Sequence, residues 1–561
     1  MKKFSFLKLA LLILFLTPTF VLADDVGDTR TFYVDSSYDV EQREEVEAVL
    51  ATSSSKAYFY LGQDWYSQLN EEKKEEVDTK LNSLGKEFDN NIYPTLTSTY
   101  GEIWEPGIDN DYHVTILFYE MEEDSAGYFR SNDEYEQVQV PGSNEREMIY
   151  VNAKYLTKDI AKSYVAHEFT HLITFNQKNR LRGTQEAIWL NESRADYAPT
   201  IVNYDSDYSG SNLQQRIRQF INSQNDSLLE WKHRQQDYGV INAFTHYLVD
   251  HYGQEILVNS LRSSKKGIDS INYALEENGF DTEFKNIFTD WTVAIFLNDC
   301  EVEEKYCYKN EHFKKINANS NLIFLPNTQQ TDIAVNYSIK PWSGHWYRIM
   351  GGEGDLTLRV DGHNSVDFEI PYVMCENGGS CTVNSLKLNQ NQQGSTTLEN
   401  FGNKYSSLTL IPSVQSITSG GENLPSYDLS VEASMDIETE REQENQRLRQ
   451  RIAELQAKID ELLERLNELR GNDYACSKIN QDLVVGMRGE QVKCLQQFLK
   501  AQGDDIYPEG LVTGYFGPLT KAAVIRFQER YQSEILAPWS LHNGTGYVGR
   551  TTKQKINKMI N

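Results

Sequence analysis

Hydrophobic positions fall along the 561-residue chain in a succession of distinct textures. From Thr31 to Tyr150, short apolar runs alternate with acidic stretches. Thr31–Val34, Ala57–Leu61, His113–Tyr119 and Met148–Val151 are rich in β-branched and aromatic residues, which predicts strands. Between them, Leu69–Phe88 places Val77, Leu81, Leu84 and Phe88 at helical intervals, as in a helix lying on a sheet. From Thr157 to about Leu297 the periodicity is helical almost throughout. A sheet-bearing lobe followed by a helical lobe predicts an α+β domain over 24–318, with a cleft between the lobes.

The texture then changes. Leu322–Leu325, Trp346–Met350, Leu356–Val360, Phe368–Tyr372, Leu408–Ile411 and Leu429–Val431 are strand-length runs between Gly, Asn, Ser and Pro clusters. Their spacing predicts an antiparallel β-sandwich over 319–434. Gly351-Gly352-Glu353-Gly354 has no following Gly-Lys-Ser/Thr and reads as a hairpin turn, not a phosphate loop. From Met435 to Arg470 there is neither Gly nor Pro, and Leu448, Ile452, Leu455, Ile459, Leu462, Leu466 and Leu469 recur in alternating steps of four and three. Ile at a, Leu at d and Asn445 at a further a position predict a coiled-coil linker over 435–471, pairing two chains in parallel. Residues 472–561 form a last, small, helical segment.

The first residues change the picture of where this chain works. Lys2, Lys3 and Lys8, the apolar run Leu9–Leu16 and the small-residue exit Val21-Leu22-Ala23 describe a secretory signal peptide over 1–23. The run is too short for a membrane span, which needs about 20 apolar residues, and no later segment reaches that length. Lys and Arg total 54 against 82 Asp and Glu, a formal charge of −28, and loss of the signal's three lysines takes it to −31. So acidic a surface repels phosphate backbones and disfavours nucleic-acid binding. The six cysteines fall as Cys300 and Cys307, Cys375 and Cys381, Cys476 and Cys494, without a Cys-x2-Cys pair. Disulfides of an exported protein, secreted or wall-associated, are the expectation.

One motif carries chemistry: His167-Glu168-Phe169-Thr170-His171. On a helix, i and i+4 share a face, so both imidazoles can address one metal ion, while Glu168 reaches the attacking water without ligating. Thr157 is a candidate N-cap for that helix. Downstream, Trp189-Leu190-Asn191-Glu192-Ser193-Arg194-Ala195-Asp196 also reads as a helix. Glu192 completes a His2Glu zinc set with an open fourth position. Asp196, at i+4, can accept from the non-ligating N–H of a liganding His.

These residues resemble the thermolysin-like zinc metallopeptidases, and within them the secreted hyicolysin-type bacterial family. The resemblance rests on His167–His171, Asn176-Gln177, Trp189–Asp196 and the stretch from Tyr238-Gly239 to Tyr252-Gly253, and it covers Thr31 to Leu297 loosely. It implies a zincin-like fold in which His167, His171 and Glu192 bind Zn2+, Glu168 is the base, Asp196 orients His167 and Asn191 directly precedes the ligand. Tyr238 is the first choice for the oxyanion donor, with His246 and His233 as alternatives. Gly127-Tyr128-Phe129 is the candidate edge strand for extended substrate. Calcium stays open as a second metal, with no residue assigned.

The last segment is similar to the small peptidoglycan-binding domain found at the ends of cell-wall enzymes. The matching residues are Leu483, Gly486, Gly489, Val492, Leu495-Gln496, Leu499, Thr513-Gly514-Tyr515-Phe516-Gly517, Thr520, Ala523-Val524, Phe527-Gln528, Gly546-Tyr547-Val548-Gly549 and Thr551. Together the readings describe a secreted zinc endopeptidase acting on polypeptides and held at peptidoglycan. The alternatives are a hydrolase of peptidoglycan stem peptides, or a non-catalytic wall-binding protein on a peptidase scaffold.

Overall fold

A computed structural model describes residues 24–326, 330–436, 448–459, 461–462 and 476–560. The signal peptide expected at 1–23 and much of the expected coiled coil lie outside the described residues. The chain forms two compact units, the first ending at Asn445 and the second running from Gln446.

The first unit begins with β1 (Thr29–Tyr33), β2 (Glu45–Ser53), β3 (Ala57–Gly62), α1 (Gln63–Ser67), α2 (Glu71–Glu87), α3 (Tyr93–Tyr100), β4 (Val114–Tyr119), β5 (Gly127–Phe129) and β6 (Met148–Asn152). The strands make one sheet in the order β1-β2-β3-β4-β6-β5. β3, β4 and β6 run parallel, and every residue of the three is buried. Strands that are apolar on both faces belong in the middle of such a sheet. One face, with Phe59, Leu61, Ile116, Phe118, Ile149 and Val151, joins the main core; the other packs Tyr58, Tyr60, Leu117, Tyr119 and Tyr150 with Phe32 and Val46. β5 closes one edge, antiparallel to β6. In α2, Val77, Leu81 and Leu84 are buried, and the Asn70 side chain caps the helix by accepting from the Lys73 N–H at 2.9 Å.

The helical part comprises α4 (Ala161–Thr174), α5 (Ile188–Ile201), α6 (Asn212–Asn222), α7 (Gln235–Tyr252), α8 (Glu255–Leu261), α9 (Gly267–Glu277) and α10 (Phe284–Leu297). α4 starts four residues after Thr157: Ile160 precedes it, no side chain caps it, and its buried N-terminal turn is fixed by packing. Thr157 is therefore not the cap.

A β-rich part completes the first unit: β7 (Asn321–Leu325), β8 (Gln330–Ile339), β9 (Tyr347–Gly351), β10 (Gly354–Gly362), β11 (Phe368–Glu369), β12 (Pro371–Glu376), β13 (Cys381–Ser385), β14 (Gln393–Phe401), β15 (Tyr405–Leu410), β16 (Ser413–Val414) and β17 (Tyr427–Asp436). β14-β10-β17-β8 and β13-β12-β15-β9-β7 are two sets that meet only at Phe401 and Tyr405 and share one apolar core. The glycine stretch 351–354 joins β9 to β10, which pair with different neighbours. It is a crossover between the two sets and not the hairpin turn expected. The β-rich part is seated on the helices: Trp342 meets Phe284 and Phe288 edge to face, and the Trp346 Nε1–H donates to the Thr292 carbonyl at 2.9 Å.

The second unit holds α11 (residues 448–459), α12 (Glu490–Ala501), α13 (Pro518–Arg530), α14 (Gln532–Ile535) and α15 (Arg550–Ile560). Leu448, Ile452, Leu455, Ile459 and Leu462 are each about half exposed. The remainder packs Leu483, Val492, Leu495, Leu499, Phe516, Val524, Phe527 and Ile556 into its own core. Two buried glutamines repeat one motif. Gln496 accepts from the Gly514 N–H and donates to the Tyr515 carbonyl and Thr520, as Gln528 does with Gly546, Tyr547 and Thr552, each 32 residues on. All three expected disulfides form. Among the described residues no helix is long and apolar enough to cross a membrane.

Candidate metal centre

α4 lies beneath β5 and β6 and against α5, so twelve of its fourteen residues are buried. That packing holds the motif on a straight helical segment and turns both imidazoles the same way. The Nε2 atoms of His167 and His171 stand 3.2 Å apart, and Glu192 Oε2, from α5, lies 3.3 Å from the first and 3.6 Å from the second. Among the described residues, these three alone could hold a metal ion through clustered His, Cys, Asp or Glu atoms. Ligands about 2.0–2.1 Å from a tetrahedral zinc are separated by roughly 3.3 Å, and the imidazole–carboxylate set is one zinc takes. Glu192 Oε2 is buried with no hydrogen-bond donor. The residues fit the ion.

The electrostatics agree. Burial would raise the Glu192 carboxyl, but His171 and His167 outweigh it and hold the group well below the usual range. Burial would lower His171; Glu192 outweighs it and pushes the imidazole up to about 9. Glu168, on the same helix, is 5% exposed, and burial raises its pKa against the pull of both histidines. Such a carboxylate is a stronger base than one in water.

α5 owes its position to a buried ionic cluster. Arg194 Nη1 pairs with Glu186 Oε2 at 2.9 Å, and Lys178 Nζ lies 3.3 Å from the same oxygen. Arg194 also donates to the Leu257 carbonyl and to Ser260 of α8. The turn after α4, the approach to α5 and α8 are thereby fixed together, and with them the distance between the His167 and Glu192 backbones.

Asp196 is completely enclosed. Its Oδ1 lies 3.9 Å from His167 Nδ1, beyond hydrogen-bond distance. It accepts instead from Arg216 Nε at 2.7 Å, Asn242 Nδ2 at 2.8 Å and Asn212 Nδ2 at 3.2 Å. Asn191 lies beside His171 without closing a hydrogen bond to Nδ1. The Tyr238 ring stands 6.4 Å from that of His167, with the Arg216 guanidinium 4.4 Å over its face and Trp231 edge-on at 4.9 Å. Burial and the nearby carboxylates keep the Tyr238 phenol protonated. Of the two alternatives, His246 is packed between Tyr197 and Phe313, where burial lowers it to about 3, and His233 accepts from the Trp231 indole N–H at 3.3 Å.

Two residues at this site escape a reading of the sequence. Arg216 occupies the buried stripe of α6, between Leu213 and Ile217 at helical spacing, and a charge in that stripe is the signal that marks it. Tyr38 comes from the β1–β2 loop, which has no such signal. It stacks on Tyr128 of β5 with centroids 4.5 Å apart, and burial with Glu168 and Glu192 nearby raises its phenol to about 12. β5 itself, at the sheet edge, runs past Glu168: a Cβ on Gly127 would stand 3.0 Å from Glu168 Oε1.

Comparison with known proteins gives two sequence matches. Residues 488–534 match the family model of a putative peptidoglycan binding domain. The chain is 29% identical over 196 residues to the neutral metalloprotease ShpI of Staphylococcus hyicus, a match spanning 31% of this chain and 42% of that protein. Among solved structures, the pre-peptidase C-terminal domain of a Bacillus anthracis collagenase is 11% identical, covering 20% of this chain and 98% of that one with a TM-score of 0.15. The lysozyme inhibitor PliG of Aeromonas hydrophila is 12% identical, covering 21% and 99% with a TM-score of 0.14. Likenesses that slight bear on neither fold nor function.

Proposed function

We propose that this chain is a secreted zinc endopeptidase that hydrolyses peptide bonds of proteins and is attached to the cell wall through its C-terminal domain. The observation that carries the reading is the triangle of His167, His171 and Glu192 ligand atoms, with sides of 3.2–3.6 Å, beside the buried Glu168. The likeness to a neutral metalloprotease supports the first half, and the peptidoglycan-binding match the second.

His167, His171 and Glu192 would hold a zinc ion, which would supply Lewis acidity to the scissile carbonyl and the attacking water. Glu168 accepts a proton from that water as it adds to the carbonyl carbon, and returns it to the amide nitrogen as the C–N bond breaks. The protonated Tyr238 phenol donates to the developing oxyanion, an interaction worth several kcal/mol in the transition state. Arg216, lying on the Tyr238 ring and bonded to Asp196, holds donor and ligand helix in one arrangement. The open edge of β5 offers main-chain pairing to an extended polypeptide, and Tyr38, stacked on Tyr128, walls that cleft. Asp196 acts on His167 through its negative charge at 3.9 Å. The exposed Leu–Ile seam of α11 supports parallel pairing of two chains, which would join two catalytic and two wall-binding units.

Glu168→Gln and His171→Ala separate the parts. The first keeps zinc and loses proteolysis by several orders of magnitude; the second loses both. Full proteolysis in Glu168→Gln overturns the base assignment. Zymograms of casein beside purified wall discriminate the substrate. Clearing of wall alone identifies a stem-peptide hydrolase, which the match at residues 488–534 favours as second reading; clearing of neither identifies a binding scaffold.

A further inference from the structure

The second unit presents one turn twice. Thr513-Gly514-Tyr515-Phe516-Gly517 leads into α13, and Thr545-Gly546-Tyr547-Val548-Gly549, 32 residues on, leads into α15. In both copies the tyrosine lies against the glycine two residues further along: a Cβ on Gly517 would meet Tyr515 Cε1, and one on Gly549 would meet Tyr547 Cε1. The bare glycine makes room for the ring at the surface, and neither tyrosine enters the apolar core of the unit. The family match covers residues 488–534, so the second copy lies outside it.

One short segment ties the copies together. Leu483 pairs antiparallel with Val548, and Arg488 with Tyr515. At the first copy the Arg488 guanidinium lies 4.2 Å over the Tyr515 ring, with no carboxylate partner among the described residues. At the second, the Tyr547 hydroxyl donates to Asp482, whose charge is already met by Lys553. Beside it Trp539, 57% exposed, donates its Nε1–H to Thr551 at 3.1 Å. Val484 and Val485, on the joining segment, are exposed as well. The copies thus carry exposed aromatic and aliphatic groups, and one guanidinium with donors to spare.

We propose that the two turns are two stations for one glycan strand of the wall, a proposal that rests on the reading of this unit as the wall attachment. A site built twice suits a ligand that repeats along its length. The glycan strand repeats with every disaccharide, whereas a single stem peptide does not. The C–H faces of sugar rings pack on aromatic side chains such as Tyr515, Tyr547 and Trp539, and the free Arg488 donors suit an acetamido carbonyl. Asp482 and Arg488 lie six residues apart, at most about 20 Å of chain, so a strand of about four sugars spans both stations. Two weak contacts with one strand add through effective concentration.

The test uses the full chain, sedimented with insoluble peptidoglycan, and soluble wall fragments as competitors. Glycan strands stripped of their peptides should displace the chain, a four-sugar strand about tenfold better than a disaccharide, because only the longer one reaches both stations. Released stem peptides at the same concentration should not. Tyr547→Ala and Arg488→Ala, both at exposed positions, should each weaken binding about tenfold, and together about a hundredfold, with the Tm unchanged. Should Tyr547→Ala lower the Tm, Trp539→Ala takes its place and must weaken binding by the same factor, or the second station fails. Equal affinity in wild type and double variant would overturn the two stations while wall attachment stands. Displacement by stem peptides and not by stripped glycan would overturn the choice of strand. A wild type that does not sediment with wall would instead remove the reading on which the stations rest.

Discussion

The backbone of Gly127 lies so close to the side chain of Glu168 that a single added carbon would stand 3.0 Å from Oε1 and 3.1 Å from Cγ. The strand that would pair with substrate and the carboxylate that would move the proton are thus one contact apart. A substrate paired along β5 would lie beside the proposed base.

Gly127→Ala should therefore act on chemistry and not on metal. The new methyl also meets the Tyr150 carbonyl at 2.6 Å, so β5 or Glu168 must shift. A displacement near 1 Å at a reacting group can cost about 100-fold. The expectation is a fall in kcat of that order with zinc content unchanged; equal losses of zinc and activity would show that the whole site had moved.

Arg216 should matter to both stability and rate. Arg216→Met leaves Asp196 enclosed without its cation, a change of the kind that costs about 3–5 kcal/mol. It also removes the charge from the Tyr238 ring. Thermal unfolding should register the first effect, and kcat the second. Arg216→Lys should restore most of the stability but less of the rate, because an ammonium cannot both pair with Asp196 and lie flat on the ring.

The Glu186 cluster sets an acid limit. Burial would raise the Glu186 carboxyl, but Arg194 and Lys178 outweigh it and hold the pKa below its ordinary value. A lowered carboxylate contributes stability that is present above the unfolded-state pKa of about 4.3 and lost as pH falls through the folded value. Acid unfolding followed by circular dichroism should shift to higher pH in Arg194→Met.

The carboxyls of buried Glu147, just before β6, and half-buried Asp109 should give the opposite slope near neutrality. Glu147 and Asp109, raised to about 7 and about 6, bind protons in the folded state that the unfolded chain has released. Stability then falls as pH rises from about 4.5 towards 7, and stays low beyond. Tm should drop across that window, and Glu147→Gln, which cannot titrate, should flatten the profile.

The second unit should bind wall by itself. Residues 472–561 should pellet with insoluble peptidoglycan while 24–434 remains in solution. Residues 472–561 carry 11 Lys and Arg against 8 Asp and Glu, a net charge of +3, so binding that survives raised salt is what separates recognition from ionic adsorption to anionic polymers. Light scattering of the full chain should give twice the monomer mass if the α11 seam pairs.

What the sequence disclosed follows from how each signal is written. His167, Glu168 and His171 stand within one helical turn and a half, and Glu192 falls on the next strongly marked helix, so local spacing sufficed to name the set. The central strands β3, β4 and β6 are continuous apolar runs and were legible for the same reason. β14 was not: Gln393–Phe401 is mostly exposed and polar, and pairing alone makes it a strand. β2 was missed although Val46, Ala48 and Leu50 alternate with exposed or half-buried neighbours, a signal the sequence did contain. The contacts of Asp196 could not be read, since Arg216 and Asn242 reach it from helices 20 and 46 residues away. Tyr38 is brought to the cleft by tertiary folding alone. The repeat of Gln496 and Gln528 was present as two copies of Thr-Gly-Tyr-x-Gly, each read singly.

The docking of the β-rich part onto the helices bears on how this chain could be cut down, by a laboratory or by a protease. The Trp231 N–H donates to the Gly421 carbonyl at 2.9 Å, and the Leu424 N–H donates to Glu230 at 2.9 Å, so the segment before α7 is braced from the far side of the chain. Trp231 is in turn the edge against which Tyr238 rests. A fragment ending at residue 318 would retain His167, His171 and Glu192, yet bare the apolar ground under Trp342 and Trp346 and release the brace behind Tyr238. If the proposed activity holds, trimming at that boundary should yield a sticky, zinc-loaded, slow peptidase, with the β-rich part acting as the rear wall of the site.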